Sequence, residues 1–316
     1  MKMDNRKIVL IGTGMVGMSF AYAALNQNAC DELVLIDINR ERAIGEAMDL
    51  NHGLAFSGTS MRIYAGDYND CSDADIVVIC AGVNQKEGES RLELLSRNAQ
   101  VFESIIKPVV KSGFSGIFLV ATNPVDIMTR ITYQMSGFDS HKVIGTGTTL
   151  DTARLRYLLG KYFLIDPRNI HAYVIGEHGD SEFVPWSQAL IATKPLFDVI
   201  NDNKDKFKIS QLDKIEHQVR TSAQEIIKAK SATYYGIGMA IVRIIKAIFQ
   251  NENSVLTVSS QMCGAYGVTD TFIGNPCIIN RLGISSILEL SLERDEAKKL
   301  RESASLLSES YNSLGF

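Results

Sequence analysis

The amino-acid sequence predicts an α/β fold in which a doubly wound parallel sheet is followed by a mixed α/β substrate-binding domain. In the first half, short apolar runs alternate with amphipathic helical stretches. A glycine-rich turn joins the first run to the first helix. In the second half that alternation gives way to long helices and scattered short strands. Strand, helix, strand in repetition is the pattern of a parallel sheet.

The apolar runs lie at 8–11, 33–36, 76–80, 117–121 and 143–144. All but the last are four or five residues of aliphatic and β-branched type, as suits parallel strands covered on both faces. Helical patterns fill 15–26, 40–50, 91–110 and 125–135. Beyond them come a helix at 151–162, a strand-like stretch at 171–175, and long helices at 214–230 and 236–249. Short strands at 254–259 and 277–280 precede a charged amphipathic helix at 293–313. No linker, repeat or low-complexity tract separates the halves. The expected division is 1–145 and 146–316, packed tightly with the active site in the seam.

Of the 316 residues 46 % are hydrophobic and 22 % charged, enough to bury a full core and too apolar for a disordered chain. A net charge of −4 argues against general affinity for nucleic acid or anionic membranes, which require a positive field. The five cysteines, Cys30, Cys71, Cys80, Cys263 and Cys277, form no paired spacing, which points to a reducing compartment. Cys80, inside an apolar run, reads as a small buried hydrophobe. Residues 1–6 are polar and carry no apolar leader, so a cytoplasmic location is expected. No uncharged apolar stretch reaches spanning length.

Gly12-Thr13-Gly14-Met15-Val16-Gly17 follows the first strand and opens the first helix, and Asp37 stands at the end of the second strand. This is the Rossmann pattern for a dinucleotide. Gly12 permits the turn, Gly14 the approach of a pyrophosphate, and Gly17 close packing of helix on strand. Asp37 suits the ribose hydroxyls of NAD and repels a 2′-phosphate; Arg40 and Arg42 temper that preference slightly. Gly236-Ile237-Gly238 has no strand before it and reads as packing.

Three further segments carry unusual polar residues. They are 82–92, containing Gln85, Gly88 and Arg91; Ala121-Thr122-Asn123-Pro124-Val125-Asp126; and Ile175-Gly176-Glu177-His178-Gly179-Asp180. The first two leave the carboxyl ends of parallel strands, where open α/β sheets bind ligands. Taken singly, a histidine beside glycine is ordinarily structural and an arginine on a helix ordinarily solvated or salt-bridged. Asn123 before Pro124 could be turn chemistry alone. A metal held by His171 and His178 is disfavoured: an unbroken strand would aim them at opposite faces, and no cysteine or carboxylate cluster completes a set. No metal is expected.

With Leu150-Asp151-Thr152-Ala153-Arg154-Leu155-Arg156, these segments resemble the L-lactate and L-malate dehydrogenase family, in order and over essentially the whole chain. The resemblance implies NAD-dependent hydride transfer between a 2-oxo acid and an L-2-hydroxy acid. It implies that His178 is the catalytic acid/base, Asp151 its partner, Arg91 the group polarising the carbonyl, and Arg154 the grip on the substrate carboxylate. Asn123 and Thr233 would also line the substrate. Cofactor contacts are implied at Gly12, Gly14, Met15, Val16, Gly17, Asp37, Arg42, Tyr68, Gly82, Val83, Ser104, Ala121, Asn123 and Thr146. Ser231 departs from the glycine more usual in the family.

Within the resemblance, the loop 84–90 matches a lid, and Gln85 points to pyruvate and L-lactate, the step that ends lactic fermentation. Malate enzymes typically place arginine there, to meet a second carboxylate. An L-malate or longer-chain L-2-hydroxy acid enzyme of the same family, or a non-catalytic NAD sensor on the same fold, are the alternatives. Arg156 and His171 match positions that hold fructose 1,6-bisphosphate in allosteric bacterial enzymes of the family. On the helix Arg156 points roughly 200° away from Arg154, and His171 is expected to face away from His178. A bacterial homotetramer activated by that sugar is the expectation. The alternative is that Arg156 only salt-bridges and His171 only packs.

Overall fold

The computed structural model describes residues 6–83, 88 and 91–315. Six parallel strands form its centre: β1 (Lys7–Ile11), β2 (Glu32–Ile36), β3 (Arg62–Ala65), β4 (Ile76–Ile79), β5 (Ile117–Val120) and β6 (Val143–Gly145). Their spatial order is β3-β2-β1-β4-β5-β6, so the winding reverses between β1 and β4. A small sheet of β7 (Ile170–His171), β8 (Leu190–Ile191) and β9 (Lys194–Pro195) lies apart. The long antiparallel strands β10 (Ser254–Cys263), β11 (Thr269–Asn280) and β12 (Gly283–Ile287) then extend the main sheet beyond β6, Ser259 pairing with Gly145. One nine-stranded sheet therefore crosses the expected domain boundary.

The strand runs are apolar throughout because both faces are covered. The helices are α1 (Met15–Asn26), α2 (Arg40–Gly53), α3 (Arg91–Lys111), α4 (Val125–Ser136), α5 (Thr149–Phe163), α6 (Leu196–Asp202), α7 (Ser210–Lys230), α8 (Tyr235–Phe249) and α9 (Arg294–Asn312). Alternate strand residues face opposite ways. Val9, Ile11, Val34, Val77, Ile79 and Phe118 pack with α3, α4 and α9. Ile8, Leu10, Leu33, Leu35, Ile76 and Val78 pack with α1, α2 and α8. Each such buried aliphatic side chain contributes about 1.5–3 kcal/mol. Gly238 belongs to this packing: a Cβ there would meet the Ser19 carbonyl carbon at 2.8 Å, where α8 crosses α1.

One local expectation needs correction. The stretch 171–175 is not one strand. Only Ile170 and His171 pair with β8, and Ile175 makes an isolated bridge to Phe183. Side chains of α5 and of Thr148 just before it replace the sheet between them: Thr148 Oγ1 donates to Val174 O (2.6 Å), Val174 N donates to Thr152 Oγ1 (2.9 Å), and Arg156 Nε donates to Ala172 O (3.1 Å). The argument from strand alternation about His171 and His178 therefore loses its basis. Cys80 lies just past the end of β4, partly buried against the core and lining the wall of a cleft. Strand β3 was not legible, because at the sheet edge only Ile63 of its four residues is fully buried.

Gly17 is the tightest point between β1 and α1, since a Cβ there would stand 2.0 Å from Gly12 O. Gly17→Ala is expected to cost about 1–3 kcal/mol through overpacking. Thermal unfolding checks it; an unchanged midpoint would mean that the turn relaxes freely.

Candidate active site

At the reversal point the chain leaves β1 through Gly12, whose φ of +100° favours glycine, and where a Cβ would meet Ala81 N at 2.5 Å. Gly14 caps α1 without a side-chain hydrogen bond, and a Cβ there would meet nothing within 4 Å. The first-turn N–H groups of α1 thus border open space, a ready seat for an anion. Past β2, Asp37 Oδ2 accepts from Thr13 N (2.8 Å) and Thr13 Oγ1 (2.9 Å), and Oδ1 accepts from Asn39 N (2.9 Å). Burial opposes ionisation, but these hydrogen bonds and nearby Arg42 outweigh it and hold the carboxyl below its usual range.

The resulting cleft of about 510 Å3 is lined by Gly12, Gly14, Asp37, Arg42, Tyr68, Gly82, Val83 and Ser104, among others. An anion seat with a fixed carboxylate beyond it fits an extended dinucleotide. Met15 and Val16 open α1, although the Met15 side chain turns into a separate apolar hollow. Ala121 and Asn123 follow β5, and Thr146 follows β6. They lead from the cleft toward a second cavity.

That cavity, of about 460 Å3, is lined by residues including Asn123, Asp151, Arg154, His178, Glu182, Arg220 and Gln224. His178 Nδ1 stands 2.6 Å from Asp151 Oδ2, and Arg154 Nη1 donates to Asp151 Oδ1 at 2.8 Å. Asp151 is 1 % exposed. Its burial would raise its pKa, yet His178 and Arg154 hold it below the usual range. Burial of His178 works against its cation. The charge and hydrogen bond of Asp151 outweigh this, aided by Glu182 and Asp126, and push His178 up to about 9. The arrangement presents a protonated imidazole to the cavity, with its Nδ1 side occupied.

A model of the lactate/malate dehydrogenase NAD binding domain matches residues 6–145, and a model of the alpha/beta C-terminal domain of lactate/malate dehydrogenase matches 148–314. The chain belongs to the lactate/malate dehydrogenase family. L-lactate dehydrogenase 2 of Bacillus cereus is 50 % identical over 309 residues, covering 98 % of each chain. An L-lactate dehydrogenase of a Geobacillus species is 52 % identical over 301 residues, covering 95 % of this chain and 94 % of the relative. Among solved structures, the lactate dehydrogenase MGS-M5 from a Medee basin deep-sea metagenome library superposes with a TM-score of 0.97 at 51 % identity. It covers 99 % of this chain and 100 % of that one. The minor L-lactate dehydrogenase of Enterococcus mundtii, in its ligands-bound form, gives a TM-score of 0.95 at 45 % identity with 98 % of both chains covered. The Gly12–Asp37 cleft is therefore that of a Rossmann NAD-binding domain.

Within this dehydrogenase fold several polar residues escaped the sequence reading. Asp126, 2 % exposed, accepts from the His178 backbone N–H (2.8 Å) and from Ser259 Oγ (2.6 Å); burial pushes its carboxyl up to about 6. Ser303 of α9 accepts from Glu177 N at 2.8 Å, and Gly176 exchanges two backbone hydrogen bonds of 3.0 Å with Gly274 of β11. The His178 turn is thus pinned from α4, α5, α9 and β11 at once. Glu182 completes an Asp151–His178–Glu182 cluster whose nearest oxygen and nitrogen atoms lie within 4.8 Å of one another. This corrects the expectation that no carboxylate cluster stands beside His178 to complete a set of metal ligands. The donors are already committed, His178 to its proton and Asp151 to His178 and Arg154, which suits proton chemistry better than a cation.

Not every expected residue converges. Gln85 and most of the loop 84–90 lie outside the described residues, as does the Arg91 side chain, while the Arg91 backbone opens α3. Thr233, just before α8, is half-buried but does not line the cavity. Ser231 caps α7 with a φ of +69°, which explains why glycine is the commoner choice there. Arg156 lines a third cavity, away from Arg154, and His171 is exposed on β7.

Gly14→Ala has room in the fold but fills the anion seat. It should leave the unfolding midpoint within about 1 °C and weaken NADH binding at least tenfold by fluorescence titration, since one misplaced methyl costs about 1–3 kcal/mol in a tight site. Asp126→Ala strands two buried donors at about 1–3 kcal/mol each, whereas Asp126→Asn keeps a carbonyl acceptor. Unfolding midpoints should fall in the order wild type, Asn, Ala; equal midpoints for the two variants would show that Asp126 does not hold the turn.

Proposed function

We propose that the chain is an NAD-dependent L-lactate dehydrogenase that interconverts pyruvate and L-lactate in a bacterial cytoplasm. The observation that carries this is the hydrogen-bonded His178–Asp151 pair beside Arg154, in a cavity that Asn123 also lines. The nicotinamide, when bound, supplies or accepts the hydride. His178 donates a proton to the substrate oxygen in reduction and takes it back in oxidation. Asp151 stabilises the imidazolium and fixes the ring. Arg154 spends one N–H on Asp151 and retains donors enough to grip a carboxylate. Arg91 polarises the reacting carbonyl, Asn123 borders the substrate, and Gln85 favours a methyl over a second carboxylate. The names of the relatives from Bacillus cereus and Geobacillus support lactate over malate.

The same reading extends to regulation by fructose 1,6-bisphosphate in a homotetramer. Arg156 lines a cavity of about 340 Å3 together with Arg168 and Arg243. Arg168 pairs with Asp166 and Arg243 with Glu252, whereas no acidic partner of Arg156 occurs among the described residues. Burial lowers the Arg156 pKa, against the opposing contact with Tyr173. Association of subunits has a candidate surface in the α1–α8 hollow, where Met15, Tyr22, Tyr235 and Met239 are each more than half exposed.

NADH oxidation with pyruvate and with oxaloacetate, with and without the bisphosphate, tests both readings. Pyruvate should win by at least a hundredfold in kcat/KM. His178→Asn should lose roughly 10^2–10^4 in turnover while still binding NADH. A preference for oxaloacetate would overturn the assignment to lactate. An unaltered rate with the effector, at every pyruvate concentration, would overturn the allosteric part.

A further inference from the structure

Glu182 is a buried titratable group that the scheme above does not use. It is 4 % exposed, lies four residues beyond His178, and lines the substrate cavity. Its carboxyl reaches to within 4.8 Å of both the Asp151 carboxylate and the His178 ring. No hydrogen bond to that carboxyl is made by the described residues; Arg220 Nη2 donates instead to the Glu182 backbone oxygen (3.1 Å) and to Glu216. The charged groups acting on it are Asp151 and Arg154 on α5, His178 on the turn and Arg220 on α7, Arg220 being itself bonded to Glu216.

Two carboxylates this close and this dry do not both ionise cheaply. Asp151 is the one held ionised, by its contacts with His178 and Arg154. Glu182 has no equivalent partner and carries the proton. We propose that Glu182 is a positioning residue of the proton-transfer site, a buried acid that shares the cluster's protons with His178 and extends to higher pH the range over which His178 stays protonated. The inference rests on His178 being the proton donor.

Burial, and then the charge of Asp151, push Glu182 up to about 9, the range in which His178 also titrates. The first proton lost on raising the pH therefore leaves the pair and not one member of it. When it leaves Glu182, the new carboxylate favours the imidazolium and His178 remains able to donate. When Glu182 is replaced by glutamine, the only proton left to lose is that of His178. Reduction requires the imidazolium, so activity is present below the His178 pKa and lost above it. The alkaline limb must then move to lower pH.

The test is the pH profile of kcat/KM for pyruvate reduction in wild type and Glu182→Gln, read as limb position whatever the plateau height. A limb lower by roughly 0.5–1 pH unit is expected in the variant. An unmoved limb overturns the proposal. Should the variant fail to fold by circular dichroism, NMR of 13C-labelled histidine in the wild type decides. The His178 signal, assigned by its loss in His178→Asn, should titrate over a broader range than a one-proton curve, and a simple one-proton curve overturns the proposal. A His178→Asn enzyme that retained turnover would instead sink the reading of His178 itself.

Discussion

The 2.6 Å contact between His178 Nδ1 and Asp151 Oδ2 joins two groups neither of which this interior would hold charged by itself. Asp151 is shut away from water, and His178 keeps its cation against the cost of its own burial. Each supplies the field the other needs. The architecture follows from keeping that pair in register. Asp151 comes from the first turn of α5, fixed by the helix, and His178 from a turn with no regular structure of its own. The turn must therefore borrow rigidity from outside. Asp126, Ser303 and Gly274 provide it from three different elements. A site built on one helix and one loop becomes as rigid as the sheet beneath it.

The cofactor end obeys a different constraint. There the polar groups facing the cleft are backbone N–H groups at a helix start, and one carboxylate tied down by Thr13 and Asn39. Space matters more than charge: at Gly12 and Gly17 neighbouring backbone fills the place of a side chain, whereas at Gly14 that place is open. Three glycines in one motif thus answer to two opposite demands.

These differences explain what could be read from the sequence. Local patterns carry the parallel strands, whose apolar runs need no partner to be recognised, and the glycine motif, whose spacing is its geometry. His178, Asp151 and Arg154 were found through resemblance, since no local rule pairs residues 27 positions apart. Asp126 and Glu182 stayed hidden for a physical reason. Their significance lies in burial beside the imidazole, and an aspartate or glutamate in a polar segment looks the same in sequence whether it faces water or not. The stretch 171–175 misled because its backbone hydrogen bonds go to Thr148 and to Thr152 and Arg156 of α5, a substitution of side chains for a neighbouring strand that alternation patterns do not encode. The sheet edge at β3 was missed because half-exposed strands carry little apolar signal.

The pairing of β10 with β6 has a consequence for how the molecule can be divided. Gly145 bonds outward to Ser259, so the sixth parallel strand is an interior strand in the intact chain. A chain cut after it would turn that strand into an unprotected border, with free N–H and C=O groups facing solvent and no charged or proline residue among Val143, Ile144 and Gly145 to blunt them. Such a border is a template for pairing with other molecules. The nucleotide-binding half is therefore not a portable cassette: grafted elsewhere or expressed alone, it would carry an adhesive seam that its own second half normally covers.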